Sequence, residues 1–295
     1  MSNPATRLTI PAELRPLARA PSIAWPTVAL FAAATLLYST GLYGGLSGSL
    51  PVWAVVLMNA LAVFWFFTVM HDAAHNSVST NRTLNDTFGQ LSALTFSVWP
   101  VYKAFRYVHM QHHRFANADD DTDPDRYCGS GPAWQLPLRW LTMDFKYYVW
   151  YLSRLNQRPT REIINTLGIM TAATLFHGTL IFSGYAWEFF FFFFLPARVA
   201  IFFLAFAFDY LPHTPYKTTQ PDNPWQATNN RIGMEWLLTP VLLYQNYHLV
   251  HHLYPLAPFY RYIRLWKMAE EYHLSHQPLL MTPLGKEKTI REKVS

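Results

Sequence analysis

The sequence predicts an all-α integral membrane protein, with four transmembrane helices in two hairpins, interfacial helices and a cytoplasmic histidine-rich cap. Three observations predict it. Of 295 residues, 51% are hydrophobic and only 14% are charged, where average soluble domains carry roughly a quarter charged. Four apolar stretches are each long enough to cross a bilayer, which takes about 20 residues at 1.5 Å each. Eight of the twelve histidines fall in three tight clusters, HDAAH at 71–75, HMQHH at 109–113 and HLVHH at 248–252.

Taken in order, residues 1–24 carry Arg7, Arg15, Arg19 and several prolines but no early apolar run. They are unlike a cleavable signal and are expected to form a cytoplasmic tail. The first span covers 25–46 and the second 51–70, with only a few residues between them. The third covers 164–184 and the fourth 189–208, which opens on six consecutive phenylalanines. Two shorter apolar stretches, 88–101 and 233–244, are too short to cross and fit interfacial helices. Each leads into a histidine cluster. The whole of 1–295 is expected to be one membrane domain, ending in a cytoplasmic tail over 275–295.

The basic residues set the orientation. Three Lys and Arg lie in 1–24, ten in 71–163 and nine in 209–295, and neither hairpin loop has any. The positive-inside rule then puts both termini and both large loops in the cytoplasm. The net charge of +5 is spread along a face that meets anionic lipid, which excludes a nucleic-acid function. Arg198, inside the fourth span, is the exception; it either pairs within the bundle or stands near a substrate tunnel. The single cysteine, Cys128, excludes an intramolecular disulfide and any cysteine-based zinc or iron–sulfur site.

The three clusters sit at cytoplasmic ends of apolar segments. His71 and His75 are spaced i, i+4, while His109, His112 and His113, like His248, His251 and His252, use spacings of three and four. On helices each set shares a face, so eight imidazoles can aim at one volume beneath the membrane surface. Neutral imidazole is the commonest metal ligand. Eight exceed what one ion takes and a closed structural zinc site needs four, so two metals are implied. Affinity alone does not name the metal; redox chemistry beside lipid favours iron. His213, in FAFDYLPHTPY, is a ninth candidate. Asp209, four residues before it, is a possible ligand, an acceptor orienting a ring, or a salt-bridge partner, and Asp72 is a second possible acceptor. His177, His273 and His276 are expected to be hydrogen-bonded core or surface residues. The run ANADDDTDPDR at 116–126 lacks the glycine and closing glutamate of a calcium loop, and is expected to be a solvated turn whose carboxylates partly accept from HMQHH.

HDAAH, HMQHH and HLVHH on two hairpins resemble the integral-membrane fatty acid desaturase and hydroxylase superfamily, from about residue 30 to 265. Within it, FDYLPHTPY, QNYHLVHHLYPLAPFYRY, HDAAHNS and HHRFANADDDTDPD are most similar to the desaturase-like β-carotene hydroxylases; carotenoid ketolases share a related YLPH element. Outside the motifs, notably over 127–200, the chain diverges. The resemblance implies a non-haem di-iron oxygenase using O2 and electrons from a ferredoxin or an NAD(P)H-linked reductase. It implies His71, His75, His109, His112, His113, His213, His248, His251 and His252 as the ligands of two irons. The implied substrate is a β-ionone-ring carotenoid hydroxylated at carbon 3, with ketolation or fatty-acyl desaturation or hydroxylation as alternatives. A metal transporter would bury its ligands near the midplane and a haem carrier would face histidines within spans, yet only His177 lies inside one.

Overall fold

The computed structural model describes residues 10–288. Two long apolar helices open the chain, α1 (Trp25–Leu46) and α2 (Val52–Ala74). Pro26 sits in the first turn of α1, where its missing N–H costs nothing. The end of α1 is glycine-rich because a neighbour comes close: a Cβ on Gly45 would lie 2.7 Å from the Phe192 ring. Small residues of this kind let helices approach in lipid. The second helix runs past the expected end at 70. Its last turn is buried in protein rather than in water, with Met70 and His71 each 1% exposed, and His75 closes it.

The first interfacial stretch forms α3 (Arg82–Ala93), shifted toward the N-terminus of the expected 88–101. Asn81 sets the start by accepting from the Thr83 and Leu84 amides, and the chain leaves helical geometry before Pro100, as residues preceding proline do. HMQHH lies on α4 (Tyr102–Phe115). Two short helices, α5 (Leu136–Leu141) and α6 (Met143–Leu152), lead to α7 (Thr160–Leu180). The second interfacial stretch is helical over Glu235–Val241, then turns at Leu243 and Tyr244, both with positive φ.

Among the described residues three helical runs are long and apolar enough to cross a membrane: α1, α2 and Thr160–His213. The last contains both the third and the fourth expected spans, and it is not straight. Gly184 has φ 95°, which breaks the helix, and no atom would touch a Cβ there, so glycine is needed for backbone conformation alone. The His177 ring lies 5.0 Å from that of Phe189 and 5.1 Å from that of Phe193. A straight helix would separate residues 177 and 189 by about 18 Å. The chain therefore folds back at Gly184.

The returning segment packs on α2 through Leu195–Leu204. Arg198 pairs within the bundle: its guanidinium grips Asp144 at 2.6 and 2.5 Å and donates to the Leu141 carbonyl at 2.9 Å. The helix then widens into a π-helical stretch, Ala205–Tyr210, before the turn Leu211–His213. Phe67 packs edge to face on Phe105 and Phe208 and tilted against Phe96, and these rings form the core beneath the histidines.

A short parallel pair, β1 (Asn229–Arg231) and β2 (Leu279–Met281), ties down the remainder. Asn229 Nδ2 donates to the Pro212 carbonyl at 2.7 Å, and the Leu249 amide donates to Asn230 Oδ1 at 3.1 Å. The strand thus positions both the His213 turn and the helix His248–Leu253. Both expected tails are partly docked: Leu14 is fully buried, the Ala24 amide donates to the Val78 carbonyl at 2.7 Å, and β2 lies within 275–295. Residues 1–9 and 289–295 of those tails lie outside the described residues.

Candidate metal centre

All nine histidines expected as ligands converge at one end of α2, and they divide into two groups. His71, His75, His109, His113 and His251 form one; His112, His213, His248 and His252 form the other, with the ligating atoms of each group within 4.8 Å of one another. The division follows from helical spacing. On α4 the i, i+4 pair His109 and His113 faces the first group, and His112, one position off that line, faces the second. On His248–Leu253 the assignment is reversed: His248 and His252 serve the second group and His251 the first. Each helix sends its i, i+4 pair to one group and its odd histidine to the other.

The spacing of the nitrogens fits metal ligation. Nε2 atoms of His75 and His109 lie 2.8 Å apart, those of His109 and His113 3.2 Å, and those of His113 and His251 2.8 Å. In the second group the His213–His248 and His248–His252 separations are 3.3 and 3.1 Å. Ligands at right angles, each about 2.1 Å from a shared ion, stand about 3.0 Å apart. Both ring nitrogens of His71 and Nε2 of His112 are buried with no hydrogen-bond partner. Buried polar atoms are rarely left so, and an ion in each group would give one nitrogen of His71 and Nε2 of His112 a partner.

The outer nitrogens fix the rings. His112 Nδ1 donates to Asp123 Oδ1 at 2.9 Å, with Asp125 Oδ2 at 3.3 Å. His213 Nδ1 donates to Asn117 Oδ1 at 3.1 Å, and His248 Nδ1 to Gln245 Oε1 at 2.6 Å. His251 Nδ1 lies 2.9 Å from the Tyr262 hydroxyl. The carboxylate and amide oxygens on His112, His213 and His248 hold the proton on Nδ1 and leave Nε2 facing inward. The acceptors are themselves braced, since Asp123 also accepts from the Asn117 and Asp125 amides at 2.7 and 3.0 Å.

Burial, reinforced by neighbouring imidazoles, pushes His109, His113, His248, His251 and His252 well below the usual histidine range, so they stay neutral and able to ligate. Around His112 burial acts in the same direction, but Asp125 and Asp123 outweigh it and raise the ring to about 9. An ion held by the second group would take the place of that proton on Nε2. Phe105 stacks on His109 at 5.4 Å and Phe67 on His71 at 6.1 Å, closing the inner side with apolar surface.

The acidic run divides. Asp123 and Asp125 are buried beside His112, while Asp119 and Asp121 are exposed. Asp72 accepts from Thr27 Oγ1 at 2.8 Å and from the Phe259 amide at 3.2 Å, so its carboxylate ties α2 to its neighbours instead of to a ring. Asp209 accepts from the Cys128 thiol at 3.7 Å and stands beside Asp125. His273 is a buried core histidine, donating from Nδ1 to the Trp266 carbonyl at 3.1 Å, whereas His276 is exposed. The ring-orienting Asn117, Gln245 and Tyr262 were not expected. Gln245 stands three residues before His248, a spacing that could have revealed it; Tyr262 reaches His251 only through the tertiary fold.

Residues 47–283 match the family model described as fatty acid desaturase. The chain is 30% identical over 217 residues to a β-carotene ketolase of Paracoccus sp. (strain N81106 / MBIC 01143), covering 72% of this chain and 78% of that protein. It is 28% identical over 203 residues to a zeaxanthin 4-ketolase of Chlamydomonas reinhardtii, covering 66% of this chain and 39% of that protein. It is 25% identical over 231 residues to a chloroplastic omega-6 fatty acid desaturase of Brassica napus, covering 68% and 49%. Since the matched span encloses all nine converging histidines and the elements that hold them, the chain belongs to the fatty acid desaturase family.

Proposed function

We propose that this chain is a membrane di-iron oxygenase that oxidises the ring of a carotenoid to a ketone. The observation that carries this reading is the division of nine imidazoles, eight of them buried, into adjoining groups of five and four. In this reading His71, His75, His109, His113 and His251 hold one iron, and His112, His213, His248 and His252 hold the other. Bound there, the iron pair supplies the redox capacity to use O2 against an unactivated C–H bond. The protein's own part is to keep the imidazoles neutral, to orient them through Asp123, Asn117, Gln245 and Tyr262, and to keep water from the inner face with Phe67 and Phe105. Reducing equivalents come from a ferredoxin or an NAD(P)H-linked reductase.

The relatives named as ketolases support a carotenoid substrate and a ketone product. Hydroxylation at carbon 3 is the second reading, favoured by FDYLPHTPY and QNYHLVHHLYPLAPFYRY, which are most similar to the hydroxylases. The fold-back at Gly184 and the absence of Lys and Arg from both short connections support four crossings in two hairpins. In that arrangement the metal cap and both termini face the cytoplasm.

Expression in a host that makes β-carotene, followed by pigment chromatography, tests the reading. Ketocarotenoids are the expected product. Hydroxylated pigments without ketones would favour the second reading, and altered acyl chains with unchanged pigment would contradict both.

A further inference from the structure

A cavity of about 890 Å³ opens between α1, α7 and Phe189–Phe194; none of the nine clustered histidines lines it, and His177 stands in its wall. Its walls are largely aliphatic and aromatic side chains. One end is lined by Gln90, Thr95 and Pro100, the other by Tyr185 and Glu188. Pro100 also lines a small pocket of about 20 Å³ whose other walls include Met70, adjacent to His71, and Phe105, which stacks on His109. The near end of the cavity is thus directed at the metal centre.

The far end carries a polar group without a purpose in the fold. Oε2 of Glu188 is buried and has no hydrogen-bond partner. An unsatisfied carboxyl oxygen beside an apolar cavity is costly. Its distance from the histidines follows from the helices. Asn59 Nδ2 donates to the Phe192 carbonyl at 2.8 Å, which sets Phe192 level with Asn59. Asn59 lies about 18 Å along α2 from His71, and Glu188 about 6 Å beyond Phe192. A molecule reaching from the metal centre to Glu188 is therefore a rod of about 24 Å or more. A polyene with a ring at each end has that length and stiffness, whereas an acyl chain with an apolar tail end offers Glu188 nothing to bond.

We propose that this cavity receives the unreacted half of a carotenoid, and that Glu188 is a specificity residue that binds a hydroxyl group on its far ring. The preferred substrate is then a carotenoid already hydroxylated on the ring remote from the metals. The inference rests on the carotenoid reading given above. Glu188 touches no reacting atom; it selects and positions the substrate by accepting one hydrogen bond through its buried Oε2. A site built to bond a hydroxyl group disfavours the analogue that lacks it, because its own polar atom is then left unpaired.

Direct binding tests this without turnover. The purified protein in lipid nanodiscs is titrated with β-carotene and with a carotenoid hydroxylated on both rings, and binding is read by quenching of tryptophan fluorescence. The wild type is expected to prefer the hydroxylated pigment about tenfold, a difference of about 1.4 kcal/mol. Glu188→Leu is expected to remove the preference by weakening the hydroxylated pigment alone, and Glu188→Gln, which still accepts a hydrogen bond, to retain it. Ala173→Trp, which fills the cavity, is expected to weaken both pigments while iron content stays unchanged. Equal binding of the two pigments by the wild type, or a preference that survives Glu188→Leu, overturns the role of Glu188. Undiminished binding by Ala173→Trp overturns the cavity as the site. Carotenoid oxidation by the wild type in cells, alongside either result, would leave the functional reading standing; no carotenoid binding or oxidation at all overturns both.

Discussion

At the residue scale, the centre depends on which nitrogen of each imidazole carries the proton. Asp123, Asn117 and Gln245 decide this for His112, His213 and His248. Replacing Asp123 with Ala is expected to weaken metal affinity about 10–100-fold, as loss of a ligand-orienting partner does; competition with a chelator measures it. His213→Ala is expected to lower iron content by about one ion per chain and abolish turnover, while His177→Ala keeps its iron. The nine histidines were legible because i, i+3 and i, i+4 spacing is a local property of a helix. Asn117 and Tyr262 were not, because their partners stand 96 and 11 residues away in sequence. His273 offers a pH test away from the metals. Burial lowers it from 6.5 to about 4. The folded state therefore resists protonation, and the stability this represents is complete above pH 6.5 and declines as the pH falls toward about 4. His273→Gln is expected to unfold with a shallower dependence on pH across that window, as followed by thermal melting.

At the scale of elements, hydropathy made the spans legible because about 20 consecutive apolar residues have few uses outside a bilayer. It did not reveal that α2 continues into the cap, nor that the fourth expected span widens into a π-helical stretch before His213. Both depend on what packs against the helix end. The fold-back rests on Gly184 at φ 95°. Gly184→Ala is expected to destabilise the protein by about 1–2 kcal/mol, the cost of a left-handed residue with a side chain, with no change in metal content. The Arg198–Asp144 pair, 10% and 2% exposed, holds the returning helix to α6. Breaking it with Arg198→Ala is expected to cost about 3–5 kcal/mol, since the aspartate is left buried and unpaired; removing both charges together is expected to cost less. Denaturant titration of the single and double variants distinguishes these outcomes.

At the scale of the whole molecule, three long apolar helical runs carry a cap in which nine histidines from α2, α4, the His213 turn and the helix His248–Leu253 converge. The cap's sequence motifs were legible, but its bracing was not: the parallel pair β1–β2 and the docked residues 10–24 carry too few residues to show a pattern. Substrate choice was legible only as far as the family, because hydroxylation, ketolation and desaturation share one metal chemistry and differ in where the substrate is held. Reporter fusions at residues 48 and 120 are expected to lie on opposite sides of the membrane; the same side for both would contradict the two-hairpin arrangement. The most direct measurement is iron content per folded chain, taken after anaerobic loading with ferrous iron, for the wild type and for His213→Ala. Close to two irons in the wild type and close to one in the variant are expected from groups of five and four. One iron or none in folded wild-type protein, or two in the variant, would contradict the paired centre.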